Sequence, residues 1–136
     1  MNVKRFVIGC LVTYVVVQCL GFLINTVFLG ETYGSMAEVW RPEAEMMAKT
    51  WVMFLTSMLW TVLFCYIFTR GYEGKGVAEG IRYGFLIGLF WLPVAYENFV
   101  IFPIPISLAH IWGVTTIVTC MIYGAVFAAI YRPKEA

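Results

Sequence analysis

Aspartate, histidine and charge of either sign are scarce in this chain of 136 residues. It has no aspartate, one histidine and 12% charged residues, against about 25% in soluble domains. A net charge of +1 leaves no extended basic surface that would bind nucleic acid. One histidine cannot complete a zinc site or a two-histidine haem site, and the cysteines form no Cys-x-x-Cys pair. We therefore expect no nucleic acid partner, no metal and no cofactor.

Long apolar runs dominate instead, because 62% of the chain is hydrophobic. A helix needs about 20 apolar residues to cross the hydrocarbon layer of a membrane. Four runs qualify, at residues 6–29, 51–69, 83–102 and 106–131. Backbone groups in lipid must be hydrogen-bonded within their own segment, so each run is expected to be helical. The predicted fold class is all-α: a polytopic membrane protein of one domain, residues 1–136, with four transmembrane helices in an up-down bundle.

The first apolar run is expected to be an uncleaved anchor. Lys4 and Arg5 precede it as in a signal peptide, and residues 7–10 resemble a lipoprotein cleavage box. A signal peptide, however, needs an apolar stretch of about 7–15 residues before its cleavage site. The segment between Arg5 and Cys10 is too short for that.

Lysine and arginine are distributed unevenly between the two sides of the predicted bundle. Cytoplasmic loops carry an excess of these residues. One side has Lys4, Arg5, Arg70, Lys75, Arg82, Arg132 and Lys134, and the other has only Arg41 and Lys49. We therefore predict that both termini are cytoplasmic and that the connection at residues 30–50 lies outside.

The outer connection carries signals for local structure. Ser35 and Glu38 have the spacing of a capping box, and Pro42 suits the first turn of a helix that continues into the second span. A short helix lying on the membrane is one interpretation of this segment. A loop whose Trp40 anchors the interface is the other, and the sequence leaves both open.

The remaining two connections are short. Residues 70–80 are rich in glycine but follow a membrane helix and lack the spacing of a phosphate-binding loop, which favours a flexible turn. Pro103 and Pro105 between the third and fourth spans predict a tight hairpin.

Gly80, Gly84 and Gly88 recur every four residues and therefore share one face of the third span. Such a stripe lets another helix backbone approach closely. The fourth span offers small residues of its own, Gly124 and Ala128. We expect tight helix packing here, with the partner helix either in this chain or in another.

Glu97 is the leading candidate functional residue, because an ionisable group within a span is costly and usually has a role. Asn98 follows it directly. Pro93 removes a helix hydrogen bond to the carbonyl of Leu89, so the helix is expected to bend there. A bend beside a carboxylate favours a polar cavity.

His110 and Asn25 are expected to lie at the same depth as Glu97. Counting from a hairpin centred on Ile104, Glu97 and His110 both sit about 10 Å below the turn, since a helix rises about 1.5 Å per residue. A hydrogen bond or ion pair between them is therefore plausible. The cluster would bind a proton, a metal or a polar headgroup, although its donors fall short of a full zinc set, or it would form a closed polar clasp between helices. Both interpretations remain.

The third span has two faces that both call for protein contact. Gly88 and Glu97 are nine residues apart, which puts them on opposite sides of a straight helix. We therefore expect a partner, either another membrane protein chain or a second copy, besides membrane lipids. Trp60 and Trp91 lie deep in their spans, where they would line a cavity or fill the bundle.

The layout resembles small four-span bacterial integral membrane proteins of unknown function. The matching features are Phe28-Leu29-Gly30 with Trp40, the stripe Gly80, Gly84 and Gly88, and Gly124-Ala125. The resemblance covers most of the chain and implies the bacterial inner (cytoplasmic) membrane, but no activity. Small multidrug exporters are similar in size, yet their essential glutamate lies in the first span, which has no charge here.

Three functions are compatible with these features. The leading hypothesis is a non-enzymatic accessory or scaffold subunit of a larger membrane complex, since no catalytic set is visible. The second is an oligomeric or proton-coupled transporter of small solutes that uses Glu97. The third is a membrane enzyme acting on lipid or quinone through Glu97 and His110.

Overall fold

The computed structural model describes residues 2–132, and all regular secondary structure in that range is helical, with no strand. Lys134, which contributed to the predicted orientation, lies outside it. Four helices are long and apolar enough to cross a membrane, which supports an integral membrane protein. The elements are α1 (Val3–Phe22) continued by a π-helix (Leu23–Phe28), α2 (Gly30–Gly34), a 3-10 turn (Ala37–Val39), α3 (Glu43–Arg70), α4 (Val77–Ile101) and α5 (Ile106–Ile130).

The long helices end within one residue of the four predicted spans, but three of them begin earlier. α1, α3 and α4 start several residues before the apolar runs at 6–29, 51–69 and 83–102. Hydropathy detects only the hydrocarbon-length part of a helix, whereas the helices also include polar first turns such as Glu43 and Glu45 of α3. The end of the bundle where α1 is joined to α3, and α4 to α5, is called the outer end below, and the opposite end the terminal end.

α4 and α5 form the closest pair in the bundle. A Cβ atom added to Gly80 or Gly84 would collide with the carbonyl oxygens of Gly124 and Cys120, respectively. The same atom on Gly80 would also lie 2.7 Å from the Cβ of Ala128. One on Gly88 would lie 2.6 Å from the Cα of Ile117. The glycine stripe is thus occupied by α5 of the same chain.

α1 and α3 pack beside this pair. Gly9 of α1 leaves room for the ring of Phe127, which is fully buried. The amide of Gln18 donates to the hydroxyl of Ser57 on α3 at 2.8 Å. α3 reaches α4 near the terminal end, where the hydroxyl of Tyr83 donates to the carbonyl of Phe64 at 2.7 Å. The core of this half is aromatic: Phe64, Phe68, Tyr123, Phe127 and Tyr131 are all buried.

The connection between α3 and α4 is held by one buried carboxylate. Glu79 accepts hydrogen bonds from the backbone amides of Glu73 at 2.6 Å and of Lys75 at 2.8 Å. Gly74 and Gly76 provide the positive φ angles, 82° and 66°, that the chain needs to turn back. Lys75 also contacts the exposed carboxylate of Glu73, whose pKa it lowers by hydrogen bonding and charge. The connection is more constrained than a flexible glycine-rich turn.

The outer connection contains two short helical elements, α2 and the 3-10 turn, but not the predicted capping box. Ser35 follows α2, and its hydroxyl donates to the carbonyl of Thr32 at 2.8 Å instead of capping a helix with Glu38. The capping-box prediction is therefore wrong, because the chain is already helical before Ser35. α3 begins at Glu43, immediately after Pro42.

Candidate functional site

Glu97 lies on α4 near the outer end and is exposed. Its carboxylate forms no ion pair or hydrogen bond with any of residues 2–132. α4 continues through Pro93 to Ile101 without a break. Glu97 is therefore presented away from the bundle, on the side opposite the glycine stripe.

His110 interacts with Tyr96 and not with Glu97. The Nδ1 atom of His110 lies 3.0 Å from the hydroxyl of Tyr96, and the two rings meet edge to face. Tyr96 and Glu97 are adjacent on α4, so a difference of one residue, about 100° around the helix, decides which side chain reaches α5. The predicted hydrogen bond between Glu97 and His110 is absent from the described part of the chain.

Asn25 belongs to a separate polar network near the outer end. Its side chain lies on the π-helix and accepts a hydrogen bond from the hydroxyl of Tyr33 at 2.9 Å. The indole N–H of Trp112 donates to the same hydroxyl, also at 2.9 Å. Tyr33 thereby joins α1 to α5 through two side chains. Burial raises the pKa of Tyr33, which keeps the hydroxyl protonated.

An aromatic cap surrounds this network. The ring of Trp40 lies 5.5 Å from that of Tyr33 and 6.4 Å from that of Trp112. The three rings pack over Leu29 and Leu108, which are both buried. The cap closes the α1 and α5 side of the outer end and leaves the α3 and α4 side uncovered.

A cleft of about 470 Å³ opens beneath the cap, between all four long helices. α3 and α4 are joined near the terminal end by Tyr83, but their backbones barely meet elsewhere, so the cleft is open between them. Its main lining side chains are Ser57 and Trp60 of α3, Trp91 and Asn98 of α4, and Trp112 and Thr116 of α5.

Hydrogen-bond donors in the cleft are only partly used. The hydroxyl of Ser57 is engaged by Gln18 and by the carbonyl of Phe54. The amide of Asn98 and the indole N–H groups of Trp60 and Trp91 form no side-chain hydrogen bond within residues 2–132. The cleft thus offers free donors on otherwise apolar and aromatic walls.

The four predicted candidates do not form one site. Asn98 lines the cleft, Asn25 belongs to the cap network, His110 faces Tyr96, and Glu97 faces outward. No three histidine, cysteine or acidic side chains of the described chain are grouped to hold a metal ion.

Tyr33 and Trp112 were not singled out by the sequence. Their contact joins positions 79 residues apart, and aromatic content gives no pairing information. One feature of the sequence did point to the cleft. The spacing of Trp91, Ala95 and Asn98 places them on one face of α4, and this face lines the cleft.

Comparisons with known proteins give no relative. No protein-family model, no curated protein and no solved structure matches the chain. The resemblance to small four-span bacterial proteins therefore rests on layout and short motifs, and any function has to be argued from the geometry above.

Proposed function

We propose that this chain is a small integral membrane accessory subunit that packs against a partner chain through the outward face of α4. The observation that carries the proposal is the carboxylate of Glu97, exposed on a membrane span with no partner among the described residues. A carboxylate on such a helix face is stabilised when another chain supplies a donor or a cation. The partner is another membrane protein or a second copy of this chain.

The outward face is a continuous stripe. Leu86, Phe90, Glu97 and Ile101 follow one another at spacings of four and seven residues, so they lie along one side of the helix. Leu86, Phe90 and Ile101 are 64%, 76% and 70% exposed. An apolar stripe interrupted by one carboxylate combines contact area with a polar anchor that selects its partner.

The glycine stripe also supports a partner on the opposite face of α4. Because it is filled by α5, the closest packing available to α4 is already used inside the chain. A partner then meets the larger side chains of the opposite face, which carries Glu97 and lies about 180° from Gly88. Glu97 lies about 6 Å from the end of α4, so its cost in lipid is below the roughly 2.5–3.5 kcal/mol of a charge at the bilayer centre.

The geometry gives less support to the two alternative functions. A transporter that uses Glu97 needs this carboxylate in a solute pathway, yet Glu97 is not among the side chains that line the cleft. An enzyme that uses Glu97 with His110 needs the two groups together, yet His110 is engaged by Tyr96.

Site-specific photocrosslinking in native membranes tests the proposal. A photoreactive phenylalanine analogue at Phe90 should yield one protein adduct of defined mass. The same analogue at Val114 of α5, which is 61% exposed, is the matched control and should yield none. An adduct of twice 15.5 kDa identifies a second copy, and any other mass identifies another chain.

Glu97 itself is tested in the Phe90 background. Glu97→Lys reverses the charge at the proposed anchor and should abolish the adduct, and Glu97→Gln, which keeps hydrogen bonding, should reduce it partially. Glu38→Gln on the outer connection should leave it unchanged. Equal adducts at Phe90 and Val114, or no effect of Glu97→Lys, would refute the proposal.

A further inference from the structure

We propose that the cleft between α3 and α4 is a binding site for a membrane phospholipid, with one acyl chain seated against the tryptophans and an ester carbonyl at Asn98. This inference concerns a different face of α4 from the proposed subunit contact. It stands on the shape of the cleft, its depth in the membrane and the unused donors on its walls.

The shape favours a ligand that enters sideways from the bilayer. The cleft is open where α3 and α4 separate, and it is closed on the opposite side by α5 and α1. Toward the terminal end, Tyr83 ties α4 to the Phe64 carbonyl of α3. The opening therefore faces the lipid in the outer half of the bundle, where phospholipid is the most abundant molecule.

The depth of the lining residues matches the parts of a phospholipid. Asn98 lies three residues before the end of α4, about 5 Å below it, whereas Trp91 and Thr116 lie ten residues from the ends of their helices, about 15 Å below. With a hydrocarbon layer of about 30 Å, Trp91 and Thr116 stand near the middle of the membrane, and Asn98 stands at the top of the acyl region, about 5 Å below the ester level and within reach of an ester carbonyl that dips into the cleft. A molecule spanning these depths is polar above and apolar below.

The hydrogen bonding also fits. The Asn98 amide and the indole N–H groups of Trp60 and Trp91 are donors without a partner among residues 2–132. In a membrane an unpaired donor is costly, and an ester carbonyl is an acceptor without a proton of its own. The volume of about 470 Å³ is within the range of small-ligand pockets, about 300–1,000 Å³.

Tryptophan fluorescence quenching tests the site directly. The purified chain is stripped of lipid in detergent and titrated with phosphatidylcholine that carries bromine atoms on one acyl chain. Bromine quenches tryptophan on contact, so quenching should saturate near one lipid per chain. Native mass spectrometry of the same samples should give a single phospholipid adduct.

Two variants with a matched control identify the cleft as the place of binding. Thr116→Phe fills the cleft and should weaken binding at least about ten-fold. Val114→Phe places the same ring two residues away on the exposed side of α5 and should leave binding unchanged. Asn98→Leu removes one donor without filling the cleft and should weaken binding by about five-fold, the effect of one neutral hydrogen bond.

Three results would overturn the proposal. Quenching that rises without saturation, equally in wild type and Thr116→Phe, would mean that the tryptophans contact only bulk lipid. Asn98→Leu and Thr116→Phe proteins that keep a wild-type circular dichroism spectrum and bind like wild type would exclude the cleft. Displacement of the brominated lipid by a short-chain quinone at a lower concentration than by a short-chain phospholipid would make the cleft a quinone site.

Discussion

The terminal half of the bundle is closely packed, whereas the outer half is open. In the terminal half, α4 and α5 touch backbone to backbone along the glycine stripe, and a buried aromatic cluster around Phe127 fills the space to α1 and α3. In the outer half, α4 and α5 stay packed together, but α3 and α4 stand apart, and α1 reaches α5 through side-chain contacts such as Asn25 and Trp112 with Tyr33.

This difference separates the residues that support the fold from those of the proposed binding sites within one small chain. Residues that hold the fold are concentrated where side chains are small or fully buried, whereas Asn98 and Glu97, whose side chains form no hydrogen bond among residues 2–132, lie where the packing is loose. A chain of four spans has little protein to surround a ligand. This chain forms a cleft, the proposed lipid site, where two helices stand apart at one end, and the closest helix packing lies at the other end.

The largest expected effect comes from Gly84→Ala. The added methyl group would collide with the carbonyl oxygen of Cys120, which is backbone and cannot rotate away. α4 and α5 must then separate, and we expect a loss of about 3 kcal/mol or more in unfolding free energy, the upper range of overpacking effects. Unfolding by sodium dodecyl sulfate in mixed micelles measures it.

Gly21→Ala is the matched control. It lies in α1, and no atom is within 4 Å of the added Cβ. Since alanine is the better helix former by about 1 kcal/mol in soluble helices, this variant should be neutral or slightly more stable. If both variants lost the same stability, glycine flexibility and not close packing would explain the stripe.

A smaller loss is expected from Glu79→Gln in the connection between α3 and α4. Glu79 is only 6% exposed and accepts two backbone hydrogen bonds with its two oxygens. Glutamine has one acceptor oxygen, so one amide loses its partner, and we expect a loss of about 2 kcal/mol. Hydrogen exchange at the amides of Glu73 and Lys75 should become faster.

Glu73→Gln in the same connection should cost no measurable stability, because its ion pairs with Lys75 and Arg82 are exposed. Hydrogen bonding to Lys75 lowers the pKa of Glu73, so any contribution is present above its unfolded pKa and is lost as the pH falls through the folded value. A loss of unfolding free energy at acidic pH that is larger in wild type than in Glu73→Gln would reveal this contribution. A larger loss for Glu73→Gln than for Glu79→Gln would contradict the assignment of Glu79 as the main support.

Much of the fold was predictable because membrane spans are defined by length and hydropathy alone. Four helices long and apolar enough to cross a membrane appear as expected, and the stripe of Gly80, Gly84 and Gly88 lies against Gly124, Cys120 and Ile117 of α5. Both properties depend on local spacing within one helix. The orientation in the membrane stays a prediction, since it depends on the charge distribution and not on the coordinates.

The candidate site was less predictable because it depends on helix rotation. Counting residues from the hairpin gives the depth of Glu97 and His110 but not the direction of each side chain. The adjacent Tyr96 faces His110, and Glu97 faces away. The cleft arises from the separation of α3 and α4, which no pattern within either helix encodes. Asn98 was a candidate only through its neighbour Glu97.

The smallest measurable loss is expected from Tyr33→Phe in the outer half. The Tyr33 hydroxyl joins Asn25 to Trp112, but both bonds are neutral, and Asn25 is exposed and keeps its bond to the carbonyl of Gly21. We therefore expect a loss of about 1 kcal/mol. Burial raises the pKa of Tyr33 in the folded state. The contribution of its hydroxyl to stability is therefore complete below the pKa of the unfolded chain, and it is lost only as the pH rises through the pKa of the folded state.

Tyr66→Phe is the control for this substitution, since the hydroxyl of Tyr66 forms no hydrogen bond within the described chain and the ring is 44% exposed. It should not change stability. The indole N–H resonance of Trp112 should shift in Tyr33→Phe and stay in place in Tyr66→Phe. A loss for Tyr33→Phe as large as that for Gly84→Ala would mean that the cap holds the fold as firmly as the glycine stripe. The outer half would then be a structural element in its own right, and a site that depends on its loose packing would lose its physical basis.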